Sequence, residues 1–77
     1  MTGDVTPGIY KHHKGGMYRV LGVARHTETD EETVIYESLY DTPDYPAGSL
    51  WARPIAMFLE TVEVDGAPTP RFARIDD

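Results

Sequence analysis

The sequence predicts a small all-β domain, in which five or six short antiparallel strands and one 3₁₀ or helical turn form a bent sheet that closes into a barrel. Apolar runs of strand length are separated by turn signals at intervals of about 8 to 12 residues. Residues 33–40 (TVIYESLY) alternate with period two. Gly22 interrupts the longest run, residues 17–26, and a missing side chain there indicates a bend or bulge that curls the sheet.

The first three strands are predicted to follow one another as hairpins. Residues 8–13 contain good β formers, and the glycines after Lys14 accept the positive φ of a tight turn. An acidic connection, TETDEE, joins residues 17–26 to residues 33–40, and these two strands should form the central hairpin. One face of the second strand is expected to consist of Tyr18, Val20, Ala24 and His26.

The second half of the chain is predicted to hold a loop, a short strand, one helical turn and a final hairpin. Two prolines, a glycine and two aspartates make residues 41–49 a surface loop. Residues 50–54 form a fourth strand that ends at Pro54, and the apolar IAMFL stretch should then form a helical turn at the end of the barrel. The last hairpin pairs residues 61–64 with residues 71–75 across an Asp-Gly turn.

Length and composition bound the class of protein. A chain of 77 residues holds one domain, predicted at residues 8–77 after a flexible leader at residues 1–7. Its core supplies only about 3 to 5 kcal/mol, which favours a homo-oligomer or a protein partner. The chain has no cysteine, no signal-peptide pattern and no apolar stretch of membrane-spanning length, so we expect a cytoplasmic protein with no membrane partner.

Charge is unevenly distributed along the chain. The net charge is −6. Residues 1–25 carry four cations and one anion, giving +3, so the remainder carries −9. A negative field repels phosphate backbones, which makes RNA a possible but disfavoured partner. A basic patch is available only near the N-terminus, from Lys11, Lys14, Arg19 and Arg25.

No motif specifies a reaction, a cofactor or a metal. A reactive thiol, a glycine-rich phosphate loop, a serine elbow and an H-E-x-x-H sequence are all missing, so we expect no enzyme, no catalytic residue and no cofactor. His12 and His13 are neighbours on a strand and should project to opposite faces, which argues against a metal site. An enzyme would have to combine His26 or His12 with a distant carboxylate such as Glu37 or Glu60.

The candidate binding residues are Trp51, Arg53, Arg25, His26 and His12. Trp51 and Arg53 share one side of the fourth strand, where an arginine beside an aromatic ring can stack on planar groups. Alternatively, Trp51 is a core residue that Arg53 covers. Arg25 and His26 lead into the sequence TET, which could bind a small anion or only satisfy the backbone of its own turn.

Four tyrosines allow two interpretations. They could form a stacking platform for a single-stranded nucleic acid. They could equally be core residues with hydroxyls at the barrel rim, which we favour because aromatic side chains dominate burial in small β domains. The four are Tyr10, Tyr18, Tyr36 and Tyr40.

Several strings in fixed order also resemble a known family. GIYKHHKG, VLGVARHTET, VIYESLY, LWARPIAMFLETVEVDG and PRF are similar to short bacterial proteins grouped as domain of unknown function sixteen fifty-three. The resemblance spans residues 8–75 and implies a family-wide domain without a known activity, and a small barrel similar to SH3-like and Sm-like folds. The chain departs from the family pattern at His13 and in the longer connection at residues 41–49.

Three functions remain open from the sequence. The leading hypothesis is a noncatalytic binding module of the bacterial cytoplasm that engages a macromolecule, or a copy of itself, through the barrel rim or a strand edge. The first alternative is a weak Sm-like RNA-binding protein that combines the N-terminal basic residues with Trp51 or a tyrosine. The second, less favoured, is a small-metabolite enzyme with His26, Arg25 and a carboxylate in one pocket.

Overall fold

The structure, a computed structural model, describes residues 5–76. The strands are antiparallel and form a five-stranded sheet of order β4-β3-β2-β1-β7 and a separate β5-β6 hairpin. The predicted all-β class is confirmed, but the barrel does not close, because β4 and β7 remain edges of the larger sheet. The elements are β1 (Gly8–His12), β2 (Met17–Arg25), β3 (Glu32–Ser38), β4 (Leu50–Pro54), α1 (Ile55–Phe58), β5 (Thr61–Val64), β6 (Ala67–Pro70) and β7 (Phe72–Arg74).

A β-bulge bends the central hairpin of β2 and β3. The register between the two strands shifts immediately before Gly22, where the sequence predicts a bend. Beyond it, Val23 pairs with the fully buried Val34 and lies on the inner face. The prediction that Ala24 and His26 continue that face is therefore wrong, because one inserted residue reverses the alternation of a strand.

The last strands pair differently from the prediction. The partner of β5 is β6 and not, as the sequence predicts, residues 71–75. Residues 72–74 form β7 instead. β7 pairs with β1 and brings Phe72 opposite His12. β6 contains Pro68 and Pro70, which lack an N–H and argue against a strand within a larger sheet. The hairpin consequently forms a two-stranded sheet of its own.

The core lies between the concave face of the five-stranded sheet and α1. The helix begins after Pro54, as predicted, and its Phe58 ring stacks on Phe72 with 4.2 Å between ring centroids. Buried aromatic rings supply most of the apolar contact that a small domain can make. The buried apolar residues are Tyr10, Val20, Val34, Tyr36, Phe58 and Phe72, and Val5, Tyr18, Trp51 and Ile55 pack against them.

Part of the predicted leader contacts the domain. Residues 1–4 lie outside the described residues, whereas Val5 packs against the core. The Tyr10 hydroxyl donates to the carbonyl of Thr6 at 3.1 Å, and Arg74 donates from Nη1 to the Thr6 hydroxyl at 2.7 Å. Within the described residues, no helix has the length and hydrophobicity needed to span a membrane.

Candidate functional site

The structure places the predicted binding residues in three separate positions. Arg25 is the last residue of β2, and His26 begins the turn between β2 and β3. The Nδ1 atom of His26 accepts from the backbone N–H of Glu28 at 3.1 Å and of Thr29 at 3.3 Å. Arg25 donates from Nη1 to the carbonyl of Asp30 at 2.8 Å. Both side chains therefore stabilise their own turn, and their contacts match the structural alternative rather than a ligand site.

Trp51 and Arg53 share one side of β4, as predicted, but have different neighbours. Trp51 is half-buried, packs against the core and makes an edge-to-face contact with Tyr45 of the preceding loop, residues 41–49, with 4.9 Å between ring centroids. Arg53 extends towards Tyr36 instead. The pair consequently does not form one stacking surface.

Two aromatic residues fix the Arg53 side chain. Its Nε donates to the Tyr36 hydroxyl at 3.1 Å, and its guanidinium carbon lies 5.5 Å from the centroid of the Phe72 ring. Phe72 belongs to β7 and Arg53 to β4, which are the two edges of the sheet, so the contact depends on the strong curl of the sheet. Among residues 5–76, no carboxylate lies at salt-bridge distance from Arg53. Within residues 5–76, its terminal amino groups therefore have no acidic partner at salt-bridge distance.

His12 lies beside the same Phe72 ring, with 4.9 Å between ring centroids. Its Nδ1 accepts the backbone N–H of Lys14 at 3.1 Å, so the neutral imidazole carries its proton on Nε2. Burial lowers the pKa of His12 below its ordinary value. Nearby positive charges lower it further, in decreasing order of effect those of His13, Arg71, Arg53 and Lys14. The concave face around His12 is therefore cationic.

The two adjacent histidines do not project to opposite faces, and that prediction is wrong. Their ring centroids lie 4.4 Å apart, because β1 ends at His12 and His13 already belongs to the turn. The backbone N–H of His13 donates to the carbonyl of Arg71 at 2.9 Å. In the part of the chain that the structure describes, no three side chains of metal-binding type are grouped around a common point.

A cavity of about 530 Å³ opens between the β1–β2 turn and the segment that follows β3. Two tyrosine hydroxyls, those of Tyr18 and Tyr40, are hydrogen-bonded across 2.7 Å at its wall. Burial, followed by the hydrogen bond and the charge of Tyr40, raises the pKa of Tyr18 to about 12. The other lining residues are His12, Lys14, Gly15, Gly16, Met17 and Leu39, and no carboxylate is among them.

Gly16 is required for the position of Tyr40. A Cβ atom at residue 16 would lie 2.7 Å from the Tyr40 hydroxyl and 3.0 Å from its ring. The sequence predicts a turn from the two glycines, and Gly15, with φ of 105°, fits that interpretation. The close approach joins Gly16 of the β1–β2 turn to Tyr40 of the segment after β3, which are distant in the chain, so local sequence patterns carry no signal for it.

The residues that an enzyme or an RNA-binding site would need are separated. Glu37 pairs with Arg19 at 3.2 Å, on the face of β3 opposite to the buried Tyr36. Glu60 pairs with Arg71 at 2.5 Å. Both carboxylates are therefore engaged by arginines, and two of the four N-terminal cations, Arg19 and Arg25, are held by carboxylates of β3 and of the β2–β3 turn.

Fold and site together define a class: a small antiparallel β domain with one bent main sheet, whose concave face carries aromatic and cationic side chains. The chain belongs to a family described as Protein of unknown function (DUF1653), whose sequence model matches residues 8–74. This confirms the resemblance found in the sequence. The crystal structure of a DUF1653 protein from Bordetella bronchiseptica is similar, with 42% sequence identity, a TM-score of 0.82, and coverage of 94% of this chain and 88% of that chain. A search of the curated proteins found no match.

Proposed function

We propose that the chain is a noncatalytic binding module whose concave face binds the anionic group of a ligand. The cationic aromatic face, as we call it, consists of His12, Tyr18, Tyr36, Arg53 and Phe72. The observation that carries the proposal is the immobilised guanidinium of Arg53, which has no acidic partner among the described residues. A fixed, planar guanidinium matches the geometry of a carboxylate or a phosphate.

The surplus of carboxylates in the chain makes this arrangement informative. The sequence has 13 Asp and Glu against 7 Lys and Arg. Arg19, Arg25, Arg71 and Arg74 are each paired with a carboxylate, yet none in the described part of the chain forms an ion pair with Arg53. Because Tyr36 and Phe72 already restrict the Arg53 side chain, a ligand loses little rotamer freedom on binding it. The arrangement favours affinity for an anion.

A noncatalytic role is supported by the separation of acid and base groups. His12 has cations rather than a carboxylate beside it, and its Nδ1 is occupied by the Lys14 N–H. General acid–base catalysis needs groups within hydrogen-bond reach of one reacting atom. The candidate carboxylates Glu37 and Glu60 are each paired with an arginine. Binding therefore accounts for this face better than catalysis does.

An NMR titration with sodium phosphate at constant ionic strength tests the proposal. We expect saturable shifts of the Arg53 Nε–H signal and of His12, because a bound anion changes the field at both groups. Arg53→Gln should remove these shifts. Arg19→Gln is the matched control, since Arg19 pairs with Glu37 on the opposite face. Saturable shifts of His12 that survive Arg53→Gln, or shifts of equal size at every cation, would contradict the proposal.

The open edge of β4 supports a second part of the proposal, self-association of the chain. β4 is an edge strand, and its Leu50 is 65% exposed. Edge strands can pair with a second copy, and the core of a small domain gains stability from such pairing. Light scattering after size exclusion should show a dimer that Leu50→Lys weakens; a monomer at every concentration would refute self-association.

Three further hypotheses from the sequence concern the fold relationship, the cellular location and RNA binding. We propose a relationship to SH3-like and Sm-like barrels, supported by the bulged β2 and by the contact between the two edges of the sheet. The cytoplasmic location rests on the lack of cysteine. Weak RNA binding has less support than anion binding, because Arg19 and Arg25 are already engaged by carboxylates.

A further inference from the structure

We infer that the cavity beside the β1–β2 turn binds a small planar anion, an aromatic ring that carries a carboxylate or a phosphate monoester. The inference rests on the proposed function, because it extends the cationic aromatic face to the cavity that adjoins it. His12 and Tyr18 belong both to this face and to the cavity wall.

The polar groups of the cavity wall are donors. Two hydroxyls that share one hydrogen bond have one further hydrogen, so the Tyr18–Tyr40 pair keeps one donor for a ligand, and the shared bond polarises that donor and holds it in position. His12 adds its Nε2–H, since Nδ1 is occupied by the Lys14 N–H. Lys14 adds an ammonium group, and no Asp or Glu between residues 5 and 76 lines the space. Donors and a positive charge along one cavity wall favour an anion over a neutral ligand.

The size and the apolar part of the cavity require more than an inorganic ion. Its volume of about 530 Å³ is within the range of small-molecule sites, and Met17 and Leu39 contribute apolar wall. A bare phosphate would leave most of this volume filled with water. The rings of His12, Tyr18 and Tyr40 also line the space, and flat walls of this kind suit a planar ring.

Gly16 couples the turn to the wall of the cavity. The Tyr40 hydroxyl occupies the space that a Cβ at residue 16 would need. Any larger residue at position 16 must displace Tyr40 and separate its hydroxyl from that of Tyr18. Residue 16 therefore controls whether the donor pair is assembled.

Four probes test the ligand class by calorimetry and NMR. Phenyl phosphate and benzoate combine a ring with an anion, inorganic phosphate lacks the ring, and benzyl alcohol lacks the charge. We expect at least one ring anion to bind about tenfold or more tightly than both controls, since a charged hydrogen bond and a buried ring each contribute affinity. The tighter of the two distinguishes phosphate from carboxylate. If either control binds as well as both ring anions, the inference is wrong.

Variants locate the binding of phenyl phosphate. Gly16→Ala should weaken it about tenfold, whereas the control Gly22→Ala, whose Cβ meets open space, should leave it unchanged. Tyr40→Phe keeps the ring and replaces Gly16→Ala in this test if that variant does not fold. It should weaken the binding of phenyl phosphate and leave the binding of benzyl alcohol unchanged.

The same variants separate the two proposals. Loss of binding in Arg53→Gln, with full binding in Gly16→Ala and Tyr40→Phe, would overturn the cavity inference and leave the proposed function standing. Loss in the cavity variants with full binding in Arg53→Gln would support the cavity and refute the anchoring role of Arg53. Loss in both sets supports one continuous site, and tight binding in every variant overturns both proposals.

Discussion

Replacing Tyr36 with phenylalanine isolates the hydrogen bond that holds Arg53. The ring of Tyr36 is buried and remains in the variant, while Nε of Arg53 loses the hydroxyl acceptor at 3.1 Å. Arg53 is half-buried and can exchange that acceptor for water, so the free energy of unfolding should fall by only about 1 kcal/mol. For a domain of this size, that corresponds to a melting temperature lower by about 4 to 8 °C.

Tyr10→Phe is the matched control for this experiment. Tyr10 is as buried as Tyr36 and its hydroxyl is also hydrogen-bonded, but to the backbone of Thr6. Both variants should lose similar stability in urea denaturation. Only Tyr36→Phe should free the Arg53 side chain and weaken phosphate binding, by about two- to tenfold, the cost of immobilising one side chain. Equal loss of binding in the two variants would show that Tyr36 acts through general stability and not through Arg53.

Three further predictions concern the core and the titrating groups. Phe58→Leu removes three ring contacts and should lower the free energy of unfolding, measured in urea, by about 2 kcal/mol. Met57→Leu, at an exposed neighbour, should change it by no more than about 0.5 kcal/mol. Equal losses in the two variants would contradict the packing. Tyr40→Phe should lower the pKa of Tyr18 from about 12 towards 10, with burial keeping it above 10, as measured by absorbance in alkaline titration; an unchanged value would refute the hydroxyl pair. Folding lowers the pKa of His12 from 6.5, so the unfolded chain binds more protons just below pH 6.5. The free energy of unfolding should therefore fall as the pH drops through 6.5. It should level off once the pH is below the pKa of His12 in the folded protein. His12→Gln should flatten that part of the stability curve, and an unchanged slope would refute the assignment.

Local patterns were sufficient for most elements of the fold. The alternation in residues 33–40 predicts β3, and Pro54 correctly marks the end of β4 and the start of α1. Gly22 predicts the bulge in β2. Each of these features depends on backbone preferences within a few residues, which is why a sequence without a structure shows them.

The errors arise where distant segments decide the outcome. The face of β2 beyond Gly22 depends on how many residues the bulge inserts, and only pairing with β3 shows this. β7 pairs with β1 across nearly the whole chain, and β6 forms despite Pro68 and Pro70. Long-range pairing is set by burial of the shared face, for which a single sequence gives no register.

The candidate site was predictable only in part. Arg53 is selected from the sequence because an arginine beside an aromatic ring can stack on planar groups, and His12 because an imidazole can bind a metal or act as a base. Their common neighbour Phe72 comes from β7, whose placement was predicted incorrectly, and the partnership of Gly16 with Tyr40 is steric. Residue type therefore identifies Arg53 and His12, and Tyr18 and Tyr36 among the four tyrosines, whereas tertiary packing identifies Phe72 and the role of Gly16.

The contact of Arg53 with Phe72 joins strands at opposite ends of the sheet order. The contact restrains the curvature of the sheet, because flattening the sheet would move the guanidinium away from the ring. Transient flattening of the sheet should therefore open the binding face. Amide hydrogen exchange along β4 and β7 would report this motion. A ligand bound to Arg53 would stabilise the curved state of the sheet and slow amide exchange in β4 and β7 together.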